Sequence, residues 1–162
     1  MDFSRLDRNR VLLGGISGTL LALSLFLPWY ELTDTPQRAE QDAWLCGEGD
    51  FTCTAFETFP ILRWLLLLAA LSPLILAYIL VRGHRLSWAP GEMTMVTGFA
   101  ALMLITYNGI IDVPAPADGI EFGTTITYGY WVALVCSIGI AATGFLRSQA
   151  GQKRERKAPG TV

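Results

Sequence analysis

At 162 residues, 52% apolar and 16% charged, with a mean hydropathy of +0.41, the chain carries more apolar surface than a soluble domain of its size can bury. Its 14 acidic and 12 basic residues fall almost wholly between four apolar blocks, so each block reads as a candidate span with lipid as its solvent. There is no Gly-rich phosphate loop, no Gly-x-Ser-x-Gly, no His-Glu-x-x-His and no basic aromatic stripe, which removes the sequence grounds for phosphoryl transfer, serine or zinc hydrolysis and nucleic-acid binding.

A hydrocarbon core about 30 Å thick needs roughly 20 helical residues, and lipid cannot satisfy free backbone groups, so blocks of this length are predicted to be α-helices. The first, residues 11–29, is uncharged and follows Arg5, Arg8 and Arg10. A cleaved signal peptide is the alternative, but the apolar stretch exceeds the usual 7–15 residues or so, and Leu-Pro-Trp-Tyr offers no small-x-small site. Gly14 and Gly18 form a small-xxx-small step, the pattern of a helix-contact face.

Residues 30–60 form an acidic loop containing Cys46 and Cys53. Two nearby cysteines among Gly and Asp, in an oxidising space, read as a disulfide closing a small turn, with Gly47 and Gly49 supplying backbone freedom. A metal site would need more ligands than two thiolates, and the single histidine, His84, is predicted on the opposite side of the membrane. A redox pair would ordinarily be a Cys-x-x-Cys, which is absent. The stretch Phe51 to Thr54 allows a short β-hairpin, and Thr54-Ala55-Phe56-Glu57 has the form of an N-cap followed by its capping-box acid.

The second block, residues 61–81, carries Arg63 near its outer start and Pro73 in its interior, where a kink is expected. Arg63 is positioned to snorkel or to pair with Glu57, Asp112 or Glu121. A short loop with Ala89-Pro90-Gly91 leads to the third block, residues 93–111. It ends in the polar cluster Thr106-Tyr107-Asn108-Gly109, whose side chains are expected to bond to neighbouring helices. After residues 112–127, the fourth block, 128–146, repeats small residues at Ala133, Ser137 and Ala141, a second contact face, and holds Cys136 as a packing residue. Residues 147–162 read as a basic, disordered cytoplasmic tail.

Ten of the twelve basic residues flank one side: Arg5, Arg8, Arg10, Arg82, Arg85, Arg147, Lys153, Arg154, Arg156 and Lys157. Ten of the fourteen acids lie on the other. The positive-inside rule then places both termini in the cytoplasm. Trp29, Tyr30, Phe59, Trp64, Tyr128, Tyr130 and Trp131 are predicted to form the outer aromatic belt, and Trp88 to mark the inner one.

Leu27-Pro28-Trp29-Tyr30, Thr54-Ala55-Phe56-Glu57-Thr58-Phe59 and Gly129-Tyr130-Trp131 together resemble a family of small four-helix membrane proteins of actinobacteria, a resemblance that implies topology and no activity. Trp29, Trp44, Cys46, Cys53 and Arg63 occur in the order found in the claudin-like tetraspan superfamily, although Trp44 precedes Leu45 and the cysteines lie closer together. The expected architecture is an all-α, four-transmembrane-helix bundle over residues 1–146, multi-pass in the cell membrane. The expected function is non-enzymatic and acts through protein contacts, as accessory subunit or scaffold, with the bilayer, itself or a larger membrane complex as partner and no cofactor, metal or nucleic acid. The alternatives are an oligomeric solute or ion pathway near Arg63, Tyr107, Asn108 and Asp112, and an extracytoplasmic thiol-redox role for Cys46 and Cys53.

Overall fold

The computed structural model describes residues 8–33, 52–82, 90–111 and 123–155. In chain order these form α1 (Arg8–Ser24), β1 (Pro28–Thr33), β2 (Thr52–Thr54), the single turn α2 (Ala55–Thr58), α3 (Leu62–Val81), α4 (Pro90–Thr106) with a π-helical extension (Tyr107–Ile111), β3 (Gly123–Ile126) and α5 (Tyr128–Glu155). Helix α5 packs on both α1 and α4, α1 packs on α3, and the α3–α4 interface is the slightest of the four. Half of the apolar window of α5 is buried within the protein, against 33% for α3 and 28% for α4, which makes α5 the central helix.

Among the described residues, three helices are long and apolar enough to cross a membrane: Leu62–Ile79 in α3, Gly91–Ile111 in α4 with its extension, and Tyr128–Gln149 in α5. Their outward residues, among them Leu68, Phe99, Met103 and Val135, are large, apolar and exposed, a surface of the kind that lipid would solvate. Helix α1 has 17 residues and stops at Ser24, short of the predicted 29. Its end is closed locally. Phe26 and Leu27 donate backbone bonds to Leu23 and Ser24, and the Trp29 indole Nε1 donates to the Ser24 carbonyl at 2.8 Å. Pro28, lacking an N–H, then starts an extended strand instead of another helical turn.

The short hairpin expected around Phe51 to Thr54 falls partly outside the described residues; what the structure has is a three-stranded antiparallel sheet in the order β2-β1-β3. Strand β1 is central, pairing Tyr30 with Ile126 and Thr33 with Gly123 on one side, and Pro28 with Thr54 and Glu31 with Thr52 on the other. β1 follows the end of α1, β2 and α2 lead into α3, and β3 leads into α5, so the sheet caps one end of the helices.

That cap changes the predicted aromatic belt. Trp29, Tyr30 and Tyr130 are buried rather than facing an interface, because they fill the space between sheet and helices. Consecutive strand residues ordinarily face opposite ways; the register shift between Pro28 and Tyr30 accompanies the burial of both Trp29 and Tyr30. Trp64, Tyr128 and Trp131 stay exposed. Helix α5 runs on to Glu155, through much of the segment read as a disordered tail.

Pro73 lies inside α3, where its missing N–H leaves the carbonyl four residues back without its usual donor. Ser72 Oγ donates to that carbonyl, of Ala69, at 2.8 Å.

Candidate functional site

The candidate site is the capped end, where sheet, α2, α3, the π turn and α5 meet. Its foundation is the α2 turn. Thr54 takes extended backbone angles, its Oγ1 accepts from the Glu57 N–H, and the Glu57 carboxylate accepts from the Thr54 N–H, the capping box that the Thr-x-x-Glu pattern predicts. The Phe56 N–H donates to the Leu25 carbonyl at 3.1 Å, which ties this turn to the end of α1.

Arg63, one turn further on, is half-buried. Its Nη1 donates to the Phe56 carbonyl at 2.8 Å, and its guanidinium carbon lies 4.8 Å from the Phe56 ring centre and 5.5 Å from that of Trp64. Its Nε is buried without a hydrogen bond. The anchoring of Arg63 by a carbonyl and two rings is a role for Phe56 that the sequence did not mark. Glu57 is occupied by the cap, and Asp112 and Glu121 lie outside the described residues.

A second junction joins Tyr30, Asn108, Gly109 and Tyr130. The Tyr30 hydroxyl donates to the Asn108 carbonyl at 3.2 Å, and the Asn108 amide donates to the Leu104 carbonyl at 2.9 Å. The Tyr30 hydroxyl thus serves one of the last carbonyls of the helical run, which has no partner within the helix, and the Asn108 amide turns back on α4. Gly109 packs so tightly on the Tyr130 ring that no Cβ would fit. Gly129 likewise faces the Pro28 carbonyl, 2.5 Å from where a Cβ would stand. Trp29 meets Tyr130 edge to face at 5.7 Å and Phe59 at 6.2 Å. Burial, and secondarily the neighbouring Tyr130, push the Tyr30 phenol well above its ordinary pKa. Tyr107, by contrast, is exposed and makes no part of this junction.

No family model, curated protein or solved structure matches the chain.

The predicted contact faces are spent inside the chain. Gly14 faces Thr143 of α5 and Pro73 of α3, Gly18 abuts the Ala70 backbone, and Ala141 abuts Gly98 of α4. Ala133 and Ser137 are fully buried. The close approaches of Gly91 to Gly144 and of Gly139 to Ser17 were not read from the sequence, although glycines repeating within apolar blocks were a signal for them. Hydroxyls in the helices turn inward on their own backbones: Thr19 to Gly15, Thr97 to Met93, Thr106 to Leu102, Ser137 to Leu134 and Thr143 to Gly139, each at 2.8 or 2.9 Å. In the cluster expected to bond to neighbouring helices, the Thr106 and Asn108 side chains instead serve Leu102 and Leu104 of their own helix.

Two grooves on the bundle are apolar. One, of about 290 Å³, lies between α3 and α4 against Leu65, Leu76, Ala101 and Leu104; the other, of about 400 Å³, lies between α1 and α3 against Val11, Gly15, Ile16 and Leu74. Among the described residues no His, Cys, Asp and Glu cluster could hold a metal. Cys136 is a free thiol in α5, about as buried as a packing residue should be. Cys53 is fully buried in β2 and is not free, while Cys46 lies outside the described residues.

Proposed function

We propose that this chain is a non-enzymatic integral membrane protein that acts through protein contacts, as an accessory subunit or scaffold presenting its capped end. The observation that carries this reading is the fate of the polar groups. The hydroxyls of Thr19, Thr97, Thr106, Ser137 and Thr143 are bonded to carbonyls of their own helices and the two grooves are apolar, while the buried Tyr130 hydroxyl, which has no hydrogen-bond partner, lies at the capped end, so the body of the bundle offers shape where a transporter or enzyme would offer polar chemistry. The small-residue faces are used within the chain, which moves the expected contact surface to the sheet.

The same proposal includes four spans, with α1 and the turn after it as the first, both termini in the cytoplasm and the sheet outside. Support comes from the charge distribution and from the three long apolar helices. It also includes a Cys46–Cys53 disulfide pinning the acidic loop to the sheet, supported by the burial of Cys53 in β2.

Native mass spectrometry and affinity purification from mild detergent test the contact reading. Oligomers or a stoichiometric co-purifying membrane protein, lost on charge reversal at Glu31, are expected. A strictly monomeric particle with no partner sinks it.

A further inference from the structure

Arg63 is the second residue of α3, and the apolar window begins at Leu62, so its guanidinium sits at the level where hydrocarbon gives way to headgroups. The side chain is fixed before any ligand arrives. Nη1 is held by the Phe56 carbonyl at 2.8 Å, and the Phe56 and Trp64 rings, themselves 6.2 Å apart, flank the guanidinium. The Phe56 turn is in turn held by the Thr54–Glu57 capping box.

Among the described residues no carboxylate pairs with this cation. A neutral carbonyl and two rings orient the cation without neutralising it, and Nε is already buried without a partner. The acid of the adjoining turn, Glu57, has its Oε2 engaged by Thr54 Oγ1 at 2.9 Å. The Nη2 edge has no hydrogen-bond partner among the described residues. Beside it, Ile61 is 75% exposed and Trp64 59% exposed, an apolar and an amphipathic side chain at the depth of glycerol and upper acyl chain.

We infer that the open edge of Arg63 binds the phosphate of a membrane phospholipid, with Trp64 and Ile61 lying along its glycerol backbone. The Nη2 group and the second N–H of Nη1 match phosphate oxygens, and the anion completes a charge that the described residues leave half-compensated. A lipid seated there would bridge α2 and α3 beneath the sheet.

The test uses the full chain in mild detergent, titrated with short-chain phosphatidylglycerol and with diacylglycerol of matched chains, and read by native mass spectrometry. Wild type is expected to retain the phospholipid and not the diacylglycerol. Arg63→Gln is expected to bind the phospholipid about tenfold more weakly, whereas Arg82→Gln, at the other end of α3, leaves the tightest adduct unchanged. Equal retention of the two lipids by wild type, which needs no variant, would overturn the inference, as would unchanged binding by Arg63→Gln. Displacement of the lipid by inorganic phosphate alone would reassign the edge to a free anion and overturn the lipid. The contact reading is scored by co-purifying protein, so the two outcomes are separable.

Discussion

The Tyr30 hydroxyl occupies a carbonyl in the widened end of α4, and the price of ionising it there is what alkaline pH should reveal. The phenol's pKa is raised in the folded state, so its contribution to stability is complete below the unfolded value of about 10 and is lost as pH climbs above it. Tyr30→Phe should lower stability by about 1 kcal/mol at neutral pH and flatten the alkaline limb of a Tm-against-pH curve measured in detergent. An unaltered limb would mean that another group governs it. At this scale the legible features were the local ones. Thr54 and Glu57 announce a capping box within four residues, whereas Tyr30 reaching Asn108, 78 positions away, depends on chain segments brought together only by folding.

Single helices were legible because a bilayer sets their length, and α3 begins within a residue of its predicted start. The failures lie at ends. Helix α1 stops early because an indole and a proline close it, and α4 ends in a π turn where Tyr30 from the sheet meets the Asn108 carbonyl. Hydropathy averages over such events. Inside α3, Ser72 is expected to matter more than its place in a groove suggests, since it supplies the donor that Pro73 withholds from Ala69. Ser72→Ala should cost about 1 kcal/mol, read as a fall in thermal midpoint, and a double variant with Pro73→Ala should recover much of it. If the two losses simply add, the hydroxyl and the proline are independent.

For the molecule as a whole, charge and hydropathy mark the apolar blocks and suggest the proposed direction, but not the sheet that unites the loops. Strand alternation in β2 and β3 covers three and four residues, too short for period-two patterning to register. The Gly14, Gly18 and Ala141 pattern was visible as contact and silent about its partner, because a small residue fits a neighbouring helix of the same chain as well as one of another. The proposed orientation has a direct check. Thr125 of β3 should, as Thr125→Cys, react in intact cells with a membrane-impermeant maleimide, while a cysteine placed at Gln149 of α5 should react only after permeabilisation. The opposite pattern inverts the topology.

The central position of β1 has a consequence for biosynthesis. Its residues leave the ribosome early, directly after α1, yet one of its two neighbours, β3, is made only when the chain is about to begin its final helix. Tyr30 must therefore wait for Ile126, and Trp29 for Tyr130, through the synthesis of everything between them. Until then half of the hydrogen-bonding edge of β1 is open and its aromatic side chains lack their cover. The cap is thus a latch that closes last, and a nascent chain stalled before α5 would present to a membrane chaperone a surface that the finished protein never shows.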